Sequence, residues 1–316
     1  MSKTNDLQAM SLRFTIKQGL DEDAGYVLEA DRLSLLAAFD GMGGMGSRRF
    51  QSLQNRTSAY LASHFYAHLL EKDFSACLHA GCFDRPFDYS THLKQLFSEE
   101  ASRAKAQYLD REPSSIIGSL ARTLPSTAAI AVVNKVRHSC LYIWAGDSRG
   151  YFMTDYGLYQ ITKDHTKRPL DAFDSLYQDA PMSNYINADQ PFELAARHII
   201  MKRPGLVIVA TDGAFGCLPT PMHFEGILLN ALATSNNMEQ WLENIKAALH
   251  PHANDDVTLA MYPLGFDSFS HMQHAFFPRL KHIEQHYIQP SQGLVGQDTE
   301  GLKALWRQYD KEMRSV

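Results

Sequence analysis

Five aspartates, each in a short motif of its own, are the side chains of this 316-residue sequence best placed to do chemistry. They are Asp23 in LDEDAG, Asp40 in AAFDGMGG, Asp147 in WAGDSRG, Asp212 in IVATDGAF and Asp255 in HANDDVTL. Three of them directly follow a run of apolar and β-branched residues, so each is expected where a buried strand ends and a loop begins. Carboxylates gathered there repel one another and resist joint ionisation unless a cation sits among them, so the pattern predicts metal. A donor set of aspartates without histidine or cysteine selects hard cations, Mn²⁺ or Mg²⁺, and disfavours zinc. If Asp40 bridges two such ions about 3.5–4 Å apart, a water shared between them becomes a nucleophile near neutral pH, and hydrolysis of a phosphate ester follows. The glycine-rich run from Gly41 to Gly44 lets the backbone come close, which makes the Gly41 carbonyl a candidate ligand.

Positioning these acids requires strands. LRFTIKQG and YVLEADRLSLLAAF alternate apolar and polar residues, and the second reads as a hairpin leading into Asp40. The spacing of Phe50, Leu53, Tyr60, Leu61, Phe65, His68 and Leu69 predicts a helix from Ser47 to about Asp73, and a second is expected from Tyr89 to Arg111. STAAIAVVNK, HSCLYIWAG, GYFMTD and GLYQIT follow with connections too short for crossover helices, which predicts a four-stranded antiparallel meander. Lys163 to Gln190 reads as a long loop or flap; GLVIVATDG and DVTLAMYPL read as strands, with helices at Phe224–Leu232 and Asn237–Leu249 between them. In the tail, PRLKHIEQHYI and LKALWRQYDKEMRSV are helical patterns. The stripe of Leu302, Leu305, Trp306, Tyr309 and Met313 is expected to dock on the body of the domain.

Composition excludes several classes. A formal charge of −5, from 30 basic and 35 acidic side chains well mixed along the chain, offers no footprint for nucleic acid and no polybasic anchor for a membrane. No apolar run approaches the roughly 20 residues that span a bilayer, and the first residues lack a signal-peptide core, so a cytoplasmic protein is expected. Cys77, Cys82, Cys140 and Cys217 show no CxxC spacing, which argues against a zinc site or a disulfide framework.

In order and spacing, DEDAG, FDGMGG, STAAIAVV, WAGDSRGYF, ITKDHT, VIVATDG and NDDVTLAMY resemble the successive motifs of the metal-dependent protein phosphatases. These are the PPM or 2C-type serine/threonine phosphatases, here in their bacterial form, and the match covers about residues 12–263. The resemblance implies an α+β fold, a central antiparallel β-sandwich flanked by helices on both sides. It also implies a phosphatase domain over 1–263 with a flap near 163–195, and a helical extension over 264–316. Carried over by motif, Asp40, Asp212 and Asp255 bind two Mn²⁺ or Mg²⁺ ions directly and carry catalysis, Gly41 adds its carbonyl, and Glu22 and Asp23 hold waters of the metals. Asp147 belongs to a third, weaker metal site seen in many members. The implied activity is hydrolysis of phosphoserine and phosphothreonine on proteins, opposing a kinase in signalling. A monomer and direct attack by water are expected, without a covalent enzyme intermediate.

Four positions depart from the family pattern. Met42 stands where many members carry a histidine proposed to protonate the leaving alcohol. Lys17 and Gln18 stand near the usual phosphate-gripping arginine, and Lys17 could serve as a point charge. Gly216 replaces an acid of the third metal site, and Asp256 replaces an asparagine; as the neighbour of Asp255 in an extended segment, it is expected to face solvent or a turn. Arg149 is expected to steady its loop by pairing with carboxylates, and Asp164 and His165 to organise the start of the flap. These departures motivate a rival reading, a binding or scaffolding module on the same fold, and a third is a small-molecule phosphatase. GMGGMG also satisfies a dinucleotide fingerprint, but no parallel strand ending in an acid follows it. His64 and His68 have the spacing of a helical zinc pair but lack the accompanying glutamate, so they read as ordinary helix residues.

Overall fold

The computed structural model describes residues 7–16, 21–109, 122–168, 170–178 and 180–314. In chain order these form β1 (Met10–Phe14), β2 (Asp23–Glu29), β3 (Leu33–Gly41), β4 (Arg49–Phe50), β5 (Arg56–Thr57), α1 (Ser58–His79) and α2 (Tyr89–Ala104). The middle of the chain gives β6 (Ser126–Asn134), β7 (Ser139–Ala145), β8 (Arg149–Thr154), β9 (Gly157–Gln160), α3 (Asp174–Tyr177), β10 (Ala195–Ile200) and β11 (Gly205–Ala210). The remainder is α4 (Pro221–Ala233), α5 (Met238–Leu249), β12 (Val257–Leu264), α6 (Phe269–Ile283), α7 (Gln289–Gln292) and α8 (Thr299–Arg314).

Period-two alternation sets the layering. In β3, Leu35, Ala37 and Phe39 face the core under α1 and α2, while Leu36 and Ala38 face the opposite sheet. In β11, Val207 and Val209 meet that same inner layer, while Leu206, Ile208 and Ala210 face the core shared with α4, α5, α6 and α8. Strands buried on both faces explain why the sequence shows near-continuous apolar runs here. Two five-stranded antiparallel sheets result, ordered β1-β12-β11-β8-β9 and β10-β7-β6-β3-β2, with a helical layer on each outer face. This is the α+β sandwich expected from the sequence. Emptying one of the fully buried aromatic positions, as in Phe39→Ala, would cost about 3–5 kcal/mol.

Several local expectations change. The predicted meander is two hairpins, β6/β7 in one sheet and β8/β9 in the other, because the link at residues 146–148 crosses between the sheets. Gly146 takes φ +88 there, a conformation that L side chains rarely adopt. Helix α1 begins at Ser58, not Ser47: Gln54 and Asn55 adopt left-handed φ values of 58 and 57 and close the small β4/β5 ribbon. Thr57 then caps the helix by accepting the Tyr60 N–H at 3.0 Å. The expected end of the second helix at Arg111 lies outside the described residues. Strand β10, within or beside the expected flap, pairs with β7 but presents Ala196, Arg197 and His198 to solvent, so it has no apolar signature. Helix α6 starts at Phe269 and carries Pro278 inside it, earlier than the tail pattern predicts. Leu302, Trp306, Tyr309 and Met313 of α8 enter the same core as α4 and α6. Among the described residues, no helix is long and apolar enough to cross a membrane.

Candidate active site

The register of β2 against β3 sets Asp23 directly opposite Asp40 at one end of the sandwich. From the other sheet, Asp212 follows β11 at the head of a short 3₁₀ turn, and Asp255 lies two residues before β12. Asp147 lies in the link that carries the chain between the sheets. The Thr211 hydroxyl donates to Asp23 Oδ2 at 2.8 Å and accepts the Thr258 N–H at 3.0 Å, tying an acid of one sheet to two strands of the other.

Glycine is required at position 41. A Cβ there would lie 2.2 Å from the Ala59 carbonyl oxygen and 2.7 Å from that of Glu22, and its N–H donates to the Glu22 carbonyl at 2.9 Å. The start of α1 and the loop before β2 are thereby clamped against the end of β3. Glu22 is fixed twice more: its carboxylate accepts the Thr57 hydroxyl at 2.6 Å, and its N–H donates to Asp256 Oδ2 at 2.8 Å. Asp256 also accepts the Ile16 N–H at 3.1 Å and is only 5% exposed. Asp256 is therefore buried and not solvent-facing, because Ile16 and Glu22, remote in sequence, supply it with backbone donors.

The electrostatics are lopsided. Burial, and then the charges of Asp212, Asp23, Asp147 and Asp255, hold the Asp40 carboxyl well above the usual carboxylate range. Burial raises Asp23 as well, against the Thr211 hydrogen bond and with help from Asp212 and Asp256. Asp147 is raised by burial, Asp212 and Asp164, and Asp212 by burial and Asp255. Glu22 follows through burial, with Asp255 and Asp256 adding to it. Glu22, Asp23, Asp40, Asp147 and Asp212 are all made harder to ionise by burial and by neighbouring carboxylates, which is the situation a cation relieves. The donors are oxygens throughout, so the residues fit Mg²⁺ or Mn²⁺.

Two cavities meet at Asp255. One of about 460 Å³ is lined by Glu22, Asp23, Asp40, Gly41 and Arg49, the other of about 410 Å³ by Asp147, Arg149, Asp164 and Asp212. A larger opening of about 600 Å³ beside α4 and α5 has no carboxylate in its lining, so size alone does not mark the site. Arg149 pairs with Asp164 at 2.7 Å through one nitrogen and 3.0 Å through another, and donates to the Ser175 hydroxyl at 2.7 Å. His165 exchanges contacts with Gly146, accepting its N–H at 3.1 Å. These contacts tie the link at residues 146–149 to Asp164 and His165 in the segment after β9.

The structure thus brings together Glu22, Asp23, Asp40, Gly41, Asp212 and Asp255, with Asp147 alongside. Lys17 and Gln18 lie outside the described residues. Among those that line the Asp40 cavity the cation is Arg49, which no motif reveals because it sits in the irregular ribbon before α1. Sequence patterns also give no hint of Thr57 or Thr211, whose partners are remote. His64 turns toward Arg13, at 3.4 Å, and His68 toward Glu71, so the two histidines do not converge. All ladders around β3 are antiparallel, which rules out the βαβ unit a dinucleotide site needs.

No family model matches this sequence, and no curated protein does. Solved structures do. A serine/threonine phosphatase from Staphylococcus aureus shares 17% identity, with 82% of this chain and 95% of that one covered at a TM-score of 0.61. A serine/threonine phosphatase from S. agalactiae shares 15%, covering 82% and 99% at 0.56. A C. elegans sex determining protein shares 16%, covering 85% and 67% at 0.61. The fold is that of the PPM-type serine/threonine phosphatases, and the resemblance carried by the motifs holds at the level of architecture.

Proposed function

We propose that this chain is a metal-dependent phosphatase that hydrolyses phosphoserine and phosphothreonine on protein substrates. The observation that carries the reading is the convergence, from both sheets, of acids whose mutual repulsion calls for divalent cations. Asp40, Asp212 and Asp255 with the Gly41 carbonyl are the residues to hold two ions, Asp23 and Glu22 to orient their hydration, and Asp147 to serve a third. When bound, such ions supply positive charge against the phosphate and make water an available nucleophile near neutral pH.

The chain's own residues do the rest. Thr57 and Asp256 fix Glu22 from two sides, and Thr211 fixes Asp23, so the acids meet a ligand without reorganising. Met42 lines the cavity and has no proton to give, so the leaving alcohol takes its proton from water. Arg49 is positioned to receive the phosphate in a site otherwise negative. Arg49→Ala is expected to raise KM about tenfold with a smaller change in kcat, and Arg49→Lys to recover part of the loss.

A chelator-controlled assay on phosphopeptides, phosphorylated metabolites and a generic aryl phosphate tests the reading. Turnover should vanish with chelator, return with Mn²⁺ or Mg²⁺, and favour phosphopeptides. Binding of Mn²⁺ without turnover on any substrate, or turnover insensitive to chelator, would defeat it; a preference for metabolites would leave the chemistry standing and remove the substrate class.

A further inference from the structure

The outer helical layer over β3 carries a second set of ligand-type side chains, of opposite chemical character. Asp73 and Cys77 stand four residues apart on one face of α1, and His92 lies in the first turn of α2. Among the described residues, theirs is the set whose donor atoms all fall within 4.8 Å of one another. His92 Nε2 is 2.7 Å from Asp73 Oδ1, and Cys77 Sγ is 3.8 Å from Asp73 Oδ2. Cys82 lies in the turn between the helices and acts electrostatically on the Cys77 thiol.

We propose that Asp73, Cys77, Cys82 and His92 form a zinc site that staples α1 to α2, separate from the acid centre at the sandwich end. The donors are two sulfurs, one imidazole nitrogen and one carboxylate, a set that suits Zn²⁺ in tetrahedral coordination and suits Mg²⁺ poorly. Bonds of about 2.0–2.3 Å to such donors place them roughly 3.3–3.8 Å apart, so Asp73, Cys77 and His92, already within 4.8 Å of one another, need side-chain adjustment, and Cys82 swings in from the turn. Binding releases the two thiol protons, and the imidazole nitrogen that binds gives up any hydrogen it shares with Asp73. The surroundings favour a closed structural site. Cys77 is buried, and His92 stacks against Tyr89 at 6.0 Å with Phe87 at 5.3 Å. Phe83 packs on both Phe74 and Tyr89. The buried Tyr89 hydroxyl makes no hydrogen bond of good geometry, although Asp73, Cys77 and Cys82 all act on it electrostatically. It is available to support a ligand once the donors rearrange. The spacing D-x3-C-x4-C-x9-H matches no short zinc motif, and the helix pairing alone brings these residues together.

The test uses the full chain, purified without a polyhistidine tag, reduced, stripped with chelator, and loaded with Zn²⁺ or Co²⁺ in excess Mg²⁺. One zinc per chain should survive dialysis, and the cobalt form should show a thiolate-to-metal charge-transfer band. Both should persist in Asp40→Asn, which separates this site from the proposed hydrolytic centre. Cys77→Ser should abolish the band. Because Cys77 is buried, the half-buried Cys82→Ser, checked for folding by circular dichroism, is the second variant and should weaken zinc at least about tenfold. Reduced protein that retains no zinc and shows no thiolate band overturns the proposal, including where Cys77 and Cys82 prove to be a redox pair. So does a band unchanged in both cysteine variants.

Discussion

Two groups of carboxylates in this molecule are handled in opposite ways. In the helical layer beside β9, Glu225 of α4 is fully buried, yet Arg279 of α6 meets it at 2.7 and 3.1 Å and reaches Glu312 of α8 at 2.7 Å. Tyr309 donates to Glu225, and Tyr287 and His282 contact Glu312 at 2.6 and 3.0 Å. Burial pushes the Glu312 carboxyl up, but those hydrogen bonds and the Arg279 charge outweigh it and leave it below its ordinary value. At the sandwich end the acids have threonine hydroxyls and backbone donors but too little positive charge, and most are raised. The first arrangement is closed by the chain itself and holds α8 in place. The second leaves most of its carboxylates raised.

The largest effect should come from breaking the closed arrangement. Arg279→Leu leaves Glu225 buried with no cation, which should lower unfolding free energy by about 3–5 kcal/mol in a denaturant titration. Adding Glu225→Gln to that variant should restore a good part of the loss; equal destabilisation by single and double variants would show that packing, not charge, dominates there.

Removing a charge from the open arrangement should act the other way. Asp212→Asn should cut turnover at least about 10²–10³-fold, the scale on which losing one electrostatic partner of a transition state is felt. The same variant should melt no lower, and in chelator somewhat higher, than the parent, because a repelling carboxylate is gone. A lower melting point in chelator would mean that Asp212 is a structural residue.

The two regions also predict opposite pH responses. Asp23, Asp40, Asp147 and Asp212 have folded values above the ordinary 3.8, so the folded state holds their protons more tightly than the unfolded chain does. Metal-free protein should therefore lose stability as pH rises from about 4 through the raised values, and saturating Mn²⁺ should flatten that slope. Glu312, with its folded value below the ordinary 4.5, contributes stability that is present above 4.5 and fades as pH falls through the folded value. A Glu312→Gln variant should thus differ from the parent at neutral pH and converge with it in acid. Convergence at neutral pH instead would refute the assignment.

The smallest effect is expected where the two kinds of order touch. Thr57 caps α1 and also holds Glu22. Thr57→Val should cost about 1 kcal/mol, while Thr57→Ser should be close to neutral. Turnover falling several-fold in the valine variant alone would tie that cap to the acid centre.

Most of the architecture is legible in the sequence because it is local. Leu33–Phe39 and Leu206–Ala210 can only be buried strands, and the aspartates that end them can only be at their ends. Where local signals compete, the reading slips. Phe50 and Leu53 fit a helical face, but the left-handed turn at Gln54 and Asn55 decides for a ribbon. Strand β10 has no apolar face to announce it, and four consecutive strand patterns cannot say that the chain changes sheets at Gly146.

The sequence by itself determined which residues are acidic, that they lie at or beside strand ends, and that their donors suit hard cations. Only the tertiary structure decided which other groups stand near them, because those contacts join residues far apart in sequence: Asp256 to Glu22 across 234 positions and Thr211 to Asp23 across 188. The same holds for Asp73, Cys77 and His92, whose proximity depends on how two helices pack across a sheet. Propensity and periodicity act over a few residues, whereas side-chain convergence depends on the sum of all packing, and no local pattern encodes that sum.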